Sequence, residues 1–243
     1  MRLQATINRL DKLFQAARSS RLAAAVIRHR VLAGAEHRHV LAHQLATVID
    51  IGANRGQFTL AVRRWAPTAR VVAFEPLPGA ALVFRSIFSG DDKVVLHEVA
   101  VGPRPSRSSM HVSARDDSSS LLPISSLQSK IFPGTSEIAT IEVQVAPLES
   151  FVKPVEIRAP AMLKLDVQGF EYEALIGCES LLSHFDHIYC ECSFVEFYTG
   201  QKLAATVIEW LSTRGFRMSG IFNVAYNKLG SPVQADFLFA NKD

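Results

Sequence analysis

The sequence predicts an α/β protein built on a doubly wound, mostly parallel sheet, and three features carry that expectation. Residues 48–56, VIDIGANRG, are a β-branched run ending in an acid and then a loop of Gly52, Ala53, Asn54 and Gly56. Gln57–Trp65 follows with helical spacing, since Phe58, Ala61, Val62 and Trp65 fall at i, i+3, i+4 and i+7. About 25 residues after Asp50, one βα-unit further on, VVAFEP repeats a strand that ends in an acid, Glu75. Strand, glycine loop, helix and strand open a nucleotide-binding α/β unit.

The remaining elements are expected in order. Residues 3–33 read as two basic amphipathic helices broken near Ser19 and Ser20, with Leu3, Ile7, Leu10 and Phe14 as an apolar stripe. Strands are expected near 47–51, 70–74 and 94–99. Pro67 stops the helix after the first of these, and residues 80–88 form a helix before the third. Residues 102–160 differ, being rich in Ser and Pro, and the alternation in IEVQVAPL marks a strand there. This segment reads as an inserted hairpin plus loop, and loops of such length are usually functional or mobile. Regular structure resumes with a strand at 162–166, a helix at 171–176, a strand at 187–192 and a helix at 204–214. Two strands in 216–241 close the chain, with a turn near Gly230, Ser231 and Pro232.

The glycine loop lacks the spacing of a dinucleotide fingerprint and the Lys-Ser/Thr of a phosphate loop. A carboxylate at Asp50 would repel a pyrophosphate. It suits a positively charged ligand, such as the ammonium and sulfonium of S-adenosylmethionine. Gly52 and Gly56 allow a tight turn and an approach to bare backbone. Glu75 is placed to accept hydrogen bonds from ribose hydroxyls. Ala100, followed by Val101 and Gly102, leaves room for an adenine ring. The hydroxyls of Ser118, Ser119 and Ser120 are able to bond a sugar or the ligand's carboxylate.

VIDIGANRGQF, FEP, HEVAVG, Ser118 to Leu121 and LKLDVQGFEYEALIG together resemble the motif series of FkbM-type S-adenosylmethionine-dependent methyltransferases. The similarity spans residues 47–241, and the block at 163–177 is its most specific part. The resemblance implies a Rossmann-like class I sheet of seven strands, the last antiparallel. It also implies O-methylation of hydroxyls on sugars, glycolipids or polyketide-derived alcohols. A glycolipid sugar is the first expectation, and a polyketide or other small-molecule alcohol the second. The cofactor-binding set is then Asp50, Gly52, Asn54, Gly56, Glu75, Ala100 and Ser120. Gln168 stands where the family commonly has Glu, which weakens a catalytic role for that side chain.

An alcohol is a weak nucleophile at neutral pH, so its methylation favours a general base or a metal. Asp166 ends the fourth parallel strand and Glu191 lies near the end of the fifth, where such sheets bind ligands. In one arrangement Asp166 is the base and Glu191 orients it or binds substrate. In the other, both hold Mg²⁺. The metal-free arrangement is preferred, because a third obvious ligand is missing. Glu171 and Glu173 fall on the first turns of the next helix, with Glu171 favourable to its dipole. His37, His39 and His43 read as solvated side chains of a basic surface extension.

Composition bounds the alternatives. With 243 residues, 48% hydrophobic and 20% charged, the chain suits one α/β domain with an extension. Residues 1–45 form the basic extension and 46–243 the methyltransferase domain, with 102–160 as its insertion. Eight of the Lys and Arg precede residue 47, against Asp11 and Glu36, which leaves the remainder mildly acidic. A net charge of +3 does not imply nucleic acid, and no Asn/Asp-Pro-Pro-aromatic motif for base amines occurs. A dehydrogenase is disfavoured by the loop, and a non-catalytic cofactor-binding module remains the alternative of another class. Three cysteines, with Cys190 and Cys192 on one strand face, point to buried thiols in a reducing compartment. The apolar run at 22–27 is short and is cut by Arg28, His29 and Arg30, so neither a signal peptide nor a span is expected. A cytoplasmic protein follows, with residues 1–45 able to touch an anionic membrane surface. The oligomeric state is open. The segment 106–133 and the helices before His43 are expected to cover the cofactor cleft as a mobile lid.

Overall fold

A computed structural model describes residues 20–41 and 44–242. The apolar stripe of the first helix and His43 lie outside the described residues. The described chain opens with helix α1 (Ser20–His29) and a 3₁₀ turn (Ala35–His37). Strand β1 (Thr47–Ile51), helix α2 (Gln57–Trp65), strand β2 (Arg70–Phe74), helix α3 (Pro78–Phe88) and strand β3 (Val94–His97) follow. The expected third strand thus divides, and Ala100–Val101 form a separate short strand, β4.

The insertion contains β5 (Ser106–Ser113), helix α4 (Ser126–Ile131) and β6 (Glu137–Ala146). β5 and β6 pair antiparallel, and β4 joins the far side of β6, giving a three-stranded sheet of order β4-β6-β5. The hairpin agrees with the alternation read from the sequence. The Ser-rich stretch is built into it, since His111 and Ser120 exchange backbone hydrogen bonds of 2.8 and 3.1 Å.

The main sheet is completed by β7 (Ala161–Leu165), α5 (Glu171–Ile176), β8 (His187–Ser193), α6 (Ala204–Ser212), β9 (Phe216–Tyr226) and β10 (Pro232–Asn241). Its order is β3-β2-β1-β7-β8-β10-β9. All pairs from β3 to β8 are parallel, and β10 runs antiparallel to both neighbours. This is the seven-stranded sheet the resemblance implies.

β1 and β7 are buried along their whole length, as strands covered by helices on both faces must be. Their side chains alternate between two cores. Ile49, Ile51, Leu163 and Leu165 pack with Ala174 and Leu175 of α5 and Val207 and Leu211 of α6. Val48 and Met162 pack on the other face with Phe58, Ala61 and Val62 of α2. The register sets Asp50 opposite Lys164 on that second face, so a carboxylate and an ammonium meet inside the molecule. α1 lies on α3, with Ala25 beside Phe84 and Phe88 and His29 Nε2 3.0 Å from Ser86 Oγ. Cys178, Cys190 and Cys192 are free and buried. Among the described residues, no helix is long and apolar enough to cross a membrane.

Candidate functional site

The loop after β1 and the loop after β7 lie against each other. Gly52 has φ +76°, and a Cβ there would sit 1.8 Å from the Asp166 carbonyl oxygen. Gly56 has φ +94°, and its Cβ would meet the Phe88 ring at 2.5 Å. Both glycines were expected to admit a ligand to bare backbone. Both make room for the chain itself, and Gly52 also lines the cavity between the loops. Asn54 takes a left-handed conformation, φ +46°, and its N–H donates to Glu75 Oε2 at 2.8 Å. Leu77 N–H donates to Glu75 Oε1, also at 2.8 Å. Burial pushes the Glu75 carboxyl up to about 7, even though these two donors pull the other way.

Glu75 and Asn54 help line a cavity of about 280 Å³ at the carboxyl ends of β1, β2 and β7. One side is an apolar slot of Leu77, Ala100, Val101, Met110 and Leu121, so Ala100 stands where the sequence placed it. Ser120 does not. It is fully buried, and its Oγ accepts the Leu122 N–H at 3.0 Å. Ser119 lines the cavity, but its Oγ accepts the Ser113 N–H at 3.0 Å. The insertion forms a wall of the cavity here, tied to the first loop by Arg55 and Asp116 at 2.6 Å.

Asp50 was expected to face the ligand's positive charge. It is 0% exposed and lies behind the cavity wall, its carboxylate 3.1 Å from Lys164 Nζ and accepting Thr59 Oγ1 at 2.7 Å. Lys164 Nζ also donates to the Gly52 carbonyl at 2.9 Å and lies 3.9 Å from Asp166 Oδ2. Burial lowers the Lys164 pKa, but Asp50 and Asp166 outweigh it and hold the ammonium above its usual value. Asp50 thus fixes the loop through Lys164 and makes no direct contact with the cavity.

Asp166 and Glu191 are brought together, and Gln168 joins them. The Gln168 amide donates to Asp166 Oδ1 at 2.7 Å and to Glu191 Oε2 at 3.0 Å. Its oxygen accepts the Tyr198 hydroxyl at 2.8 Å. A glutamate at 168 could not donate to both carboxylates, so the departure from the family pattern has a physical role. Glu171 accepts the Val167 and Gly169 N–H groups at 3.1 and 3.0 Å, which fastens the loop carrying Gln168. Burial pushes Glu171 up to about 7. Burial, and then the neighbouring Asp166, also raise Glu191 well above the carboxylate range.

A second chamber of about 240 Å³ adjoins the first, sharing Glu36, His37, Lys164 and Asp166 with it. Tyr189, Glu191, Asn223 and Asp236 complete its walls. His37 is not the solvated side chain expected of it. Its Nδ1 lies 3.1 Å from the Tyr189 hydroxyl, and its ring meets Phe58 edge-on at 5.1 Å. Among the described residues, no group of three or more His, Cys, Asp or Glu side chains is arranged to hold a metal ion.

Lys164 and Asp236 were not singled out by sequence reasoning, and His37 was read there as a solvated surface side chain. Lys164 did leave a signal, as a lone cation within the apolar strand AMLKL that demands a buried partner. The pairing of His37 with Tyr189 leaves none, because it joins residues 152 positions apart.

Comparison with known proteins adds four findings. The Methyltransferase FkbM domain matches residues 50–218. The 2-O-methyltransferase NoeI of Sinorhizobium fredii is 27% identical over 170 residues, covering 68% of this chain and 70% of that protein. Methyltransferase 1 of Beauveria bassiana is 25% identical over 187 residues, covering 71% and 72%. Among solved structures, the precorrin-6y C5,15-methyltransferase of Geobacter metallireducens superposes with a TM-score of 0.46 at 13% identity, covering 85% of this chain and 87% of that one. The fold assignment rests on the strand order, not on that superposition.

Proposed function

This chain belongs to the FkbM methyltransferase family, and from that premise we propose that it methylates a hydroxyl oxygen of a sugar, carried on a glycolipid. The observation that carries the reading is the joined pair of chambers. The first combines a buried carboxylate, Glu75, with the apolar slot at Ala100 and Val101, which suits a nucleoside. The second is walled almost wholly by polar side chains, among them Glu36, Asp166, Glu191, Asn223 and Asp236. Carboxylates accept hydrogen bonds from hydroxyls, so such walls suit a neutral polyol. A polyketide alcohol would lay an apolar skeleton against them, at a desolvation cost. The 2-O-methyltransferase named among the relatives points the same way.

Bound S-adenosylmethionine would supply an activated methyl group. Glu75 retains lone pairs for ribose hydroxyls, and the Asn54 loop is held by the Asp50–Lys164 pair. Asp166 and Glu191 accept hydrogen bonds from the acceptor's hydroxyls and so fix the angle of attack, and alignment of this kind contributes several kcal/mol. Two groups at the junction of the chambers are able to take the departing proton, the Asp166 carboxylate and the His37 ring. Residues 1–45 would bring the enzyme to anionic headgroups.

The test is transfer from radiolabelled S-adenosylmethionine to a panel of neutral methyl glycosides, a glycolipid extract and a macrolide alcohol. Label in glycosides or glycolipid supports the reading, and label confined to the macrolide replaces the acceptor class. A folded protein that does not bind S-adenosylmethionine in calorimetry overturns the reading altogether.

A further inference from the structure

We propose that His37, whose side chain lines both chambers, takes the proton from the acceptor hydroxyl at Nε2, held as its Nδ1–H tautomer by Tyr189 and Asp236. This inference rests on the hydroxyl-methylation reading above.

The hydrogen-bond directions fix the tautomer. Asp236 Oδ2 lies 2.7 Å from the Tyr189 hydroxyl and 2.7 Å from Asn223 Nδ2. An amide nitrogen only donates, so that oxygen acts as an acceptor, and the tyrosine spends its one proton on it. The Tyr189 oxygen is then left to accept, and His37 Nδ1, 3.1 Å away, donates. Nε2 is therefore the bare, basic nitrogen. Among the described residues it has no hydrogen-bond partner; its edge of the ring lies beside Gly34, where a Cβ would come within 2.8 Å of Nε2, and the His37 side chain lines both chambers. Phe58 and Tyr189 hold the ring edge-on, at centroid distances of 5.1 and 5.6 Å.

Asp166 is the weaker competitor. It already accepts the Gln168 amide at 2.7 Å and has the Lys164 ammonium 3.9 Å away. An imidazole also lies closer to neutrality than a carboxylate, where a general base works best. Every charged neighbour of His37 fits this role. Burial lowers its pKa and keeps the resting ring neutral, and Lys164 lowers it further. Asp236, Glu36 and Asp166 pull it upward, which favours the imidazolium once it forms. Tyr189 stays a neutral phenol, because burial and Asp236 raise its pKa far above neutrality.

The step balances. The acceptor oxygen bonds to the methyl carbon as the carbon–sulfur bond breaks, and sulfur keeps the electron pair. The hydroxyl proton passes to Nε2, and the imidazolium returns it to solvent past Glu36, which is exposed at the mouth. Tyr189 and Asp236 are positioning residues.

The experiment compares the full-length wild type with His37→Ala, His37→Gln, Tyr189→Phe and Asp166→Asn. Methyl transfer to the best glycoside of the panel is followed across pH, with calorimetric binding of S-adenosylmethionine as the control. The wild-type kcat should fall as pH drops through a value below the ordinary imidazole pKa. His37→Ala should lose at least a hundredfold in kcat, lose that acid limb, bind S-adenosylmethionine within twofold of wild type and regain activity with added imidazole. Tyr189→Phe should shift the limb and lower kcat about tenfold with the glycoside KM unchanged. A His37→Ala enzyme within threefold of wild type, or an acid limb that disappears only in Asp166→Asn, overturns the assignment. So does a loss of cofactor binding parallel to the loss of activity in both His37 variants. If no glycoside is methylated, the acceptor class has failed instead. The tautomer is then read directly by nitrogen-15 NMR of the histidine-labelled protein with S-adenosylmethionine, and an Nε2–H ring or an imidazolium at neutral pH overturns it.

Discussion

Lys164 shows how a single side chain sets the site without entering it. Its ammonium holds the buried Asp50 carboxylate, the Gly52 carbonyl and one edge of Asp166, so both cavity loops hang on one charge. Replacing it with Met leaves Asp50 buried and unpaired. Lys164→Met should cost about 3–5 kcal/mol, measured by urea unfolding, and the double variant with Asp50→Asn should recover much of that loss. A single variant as stable as wild type would mean that the pair does not organise the loops. Glu75 acts directly. Glu75→Ala should weaken S-adenosylmethionine binding by about 1–3 kcal/mol, the cost of leaving polar groups unpaired, and unchanged affinity in the folded variant would remove the ribose assignment. The two acids looked alike in the sequence, each ending a strand before a loop. They differ because Asp50 lies opposite Lys164 in the register of β1 and β7, whereas Glu75, one residue beyond β2, turns to the cavity and to the Asn54 and Leu77 amides. Cross-strand register is what the sequence does not show.

At the scale of elements, the block at 163–177 was legible as a motif, and its parts now have separate tasks. Lys164 pairs, Gln168 bridges, Glu171 clamps and Gly177 packs. A Cβ on Gly177 would lie 2.5 Å from the Gly102 carbonyl oxygen and 2.9 Å from Gly102 Cα, contacts with backbone that no rotamer change relieves. The Gly177 carbonyl also accepts the Leu148 N–H at 2.9 Å. The end of α5 thus seats both the start and the exit of the insertion. Gly177→Ala should destabilise by about 1–3 kcal/mol through overpacking and, by displacing the insertion, weaken S-adenosylmethionine binding as well. Thermal unfolding and calorimetry check the two effects, and a neutral substitution would show that the insertion is not anchored there. The hairpin itself was readable because apolar and polar residues alternate in IEVQVAPL, most of which falls on β6. Its internal hydrogen bonding was not readable, because composition registers the serines but not the bonds that Ser113, Ser119 and Ser120 make within the insertion.

Across the whole molecule, the periods of strands and helices revealed the order of elements, and the family pattern supplied the topology. The chambers stayed hidden, since His37, Asp166, Glu191 and Asp236 come from four distant segments that only the folded sheet assembles. Gathering so many ionisable groups has a consequence for stability. Burial raises Glu75 and Glu171 from 4.5 to about 7 and also raises Glu191 and Asp236. Between those pH values the folded chain binds more protons than the unfolded one, so stability falls as pH rises. Each printed shift corresponds to a cost on the order of 3 kcal/mol, complete above about pH 7 and absent below about 4.5. His37 opposes this, because its lowered pKa makes the folded state the poorer proton binder below the ordinary imidazole value. His97, also lowered by burial, opposes it too, while Glu173 is raised with the other acids, so two histidines stand against five acids and the acids dominate. The ligand-free protein should therefore resist urea better at about pH 5.5 than at about pH 7.5, and Glu75→Gln or Glu171→Gln should each flatten that slope. A stability that rises between those two pH values, or a slope that neither variant changes, would show that these carboxyls are not buried at the heart of the site as the structure has them.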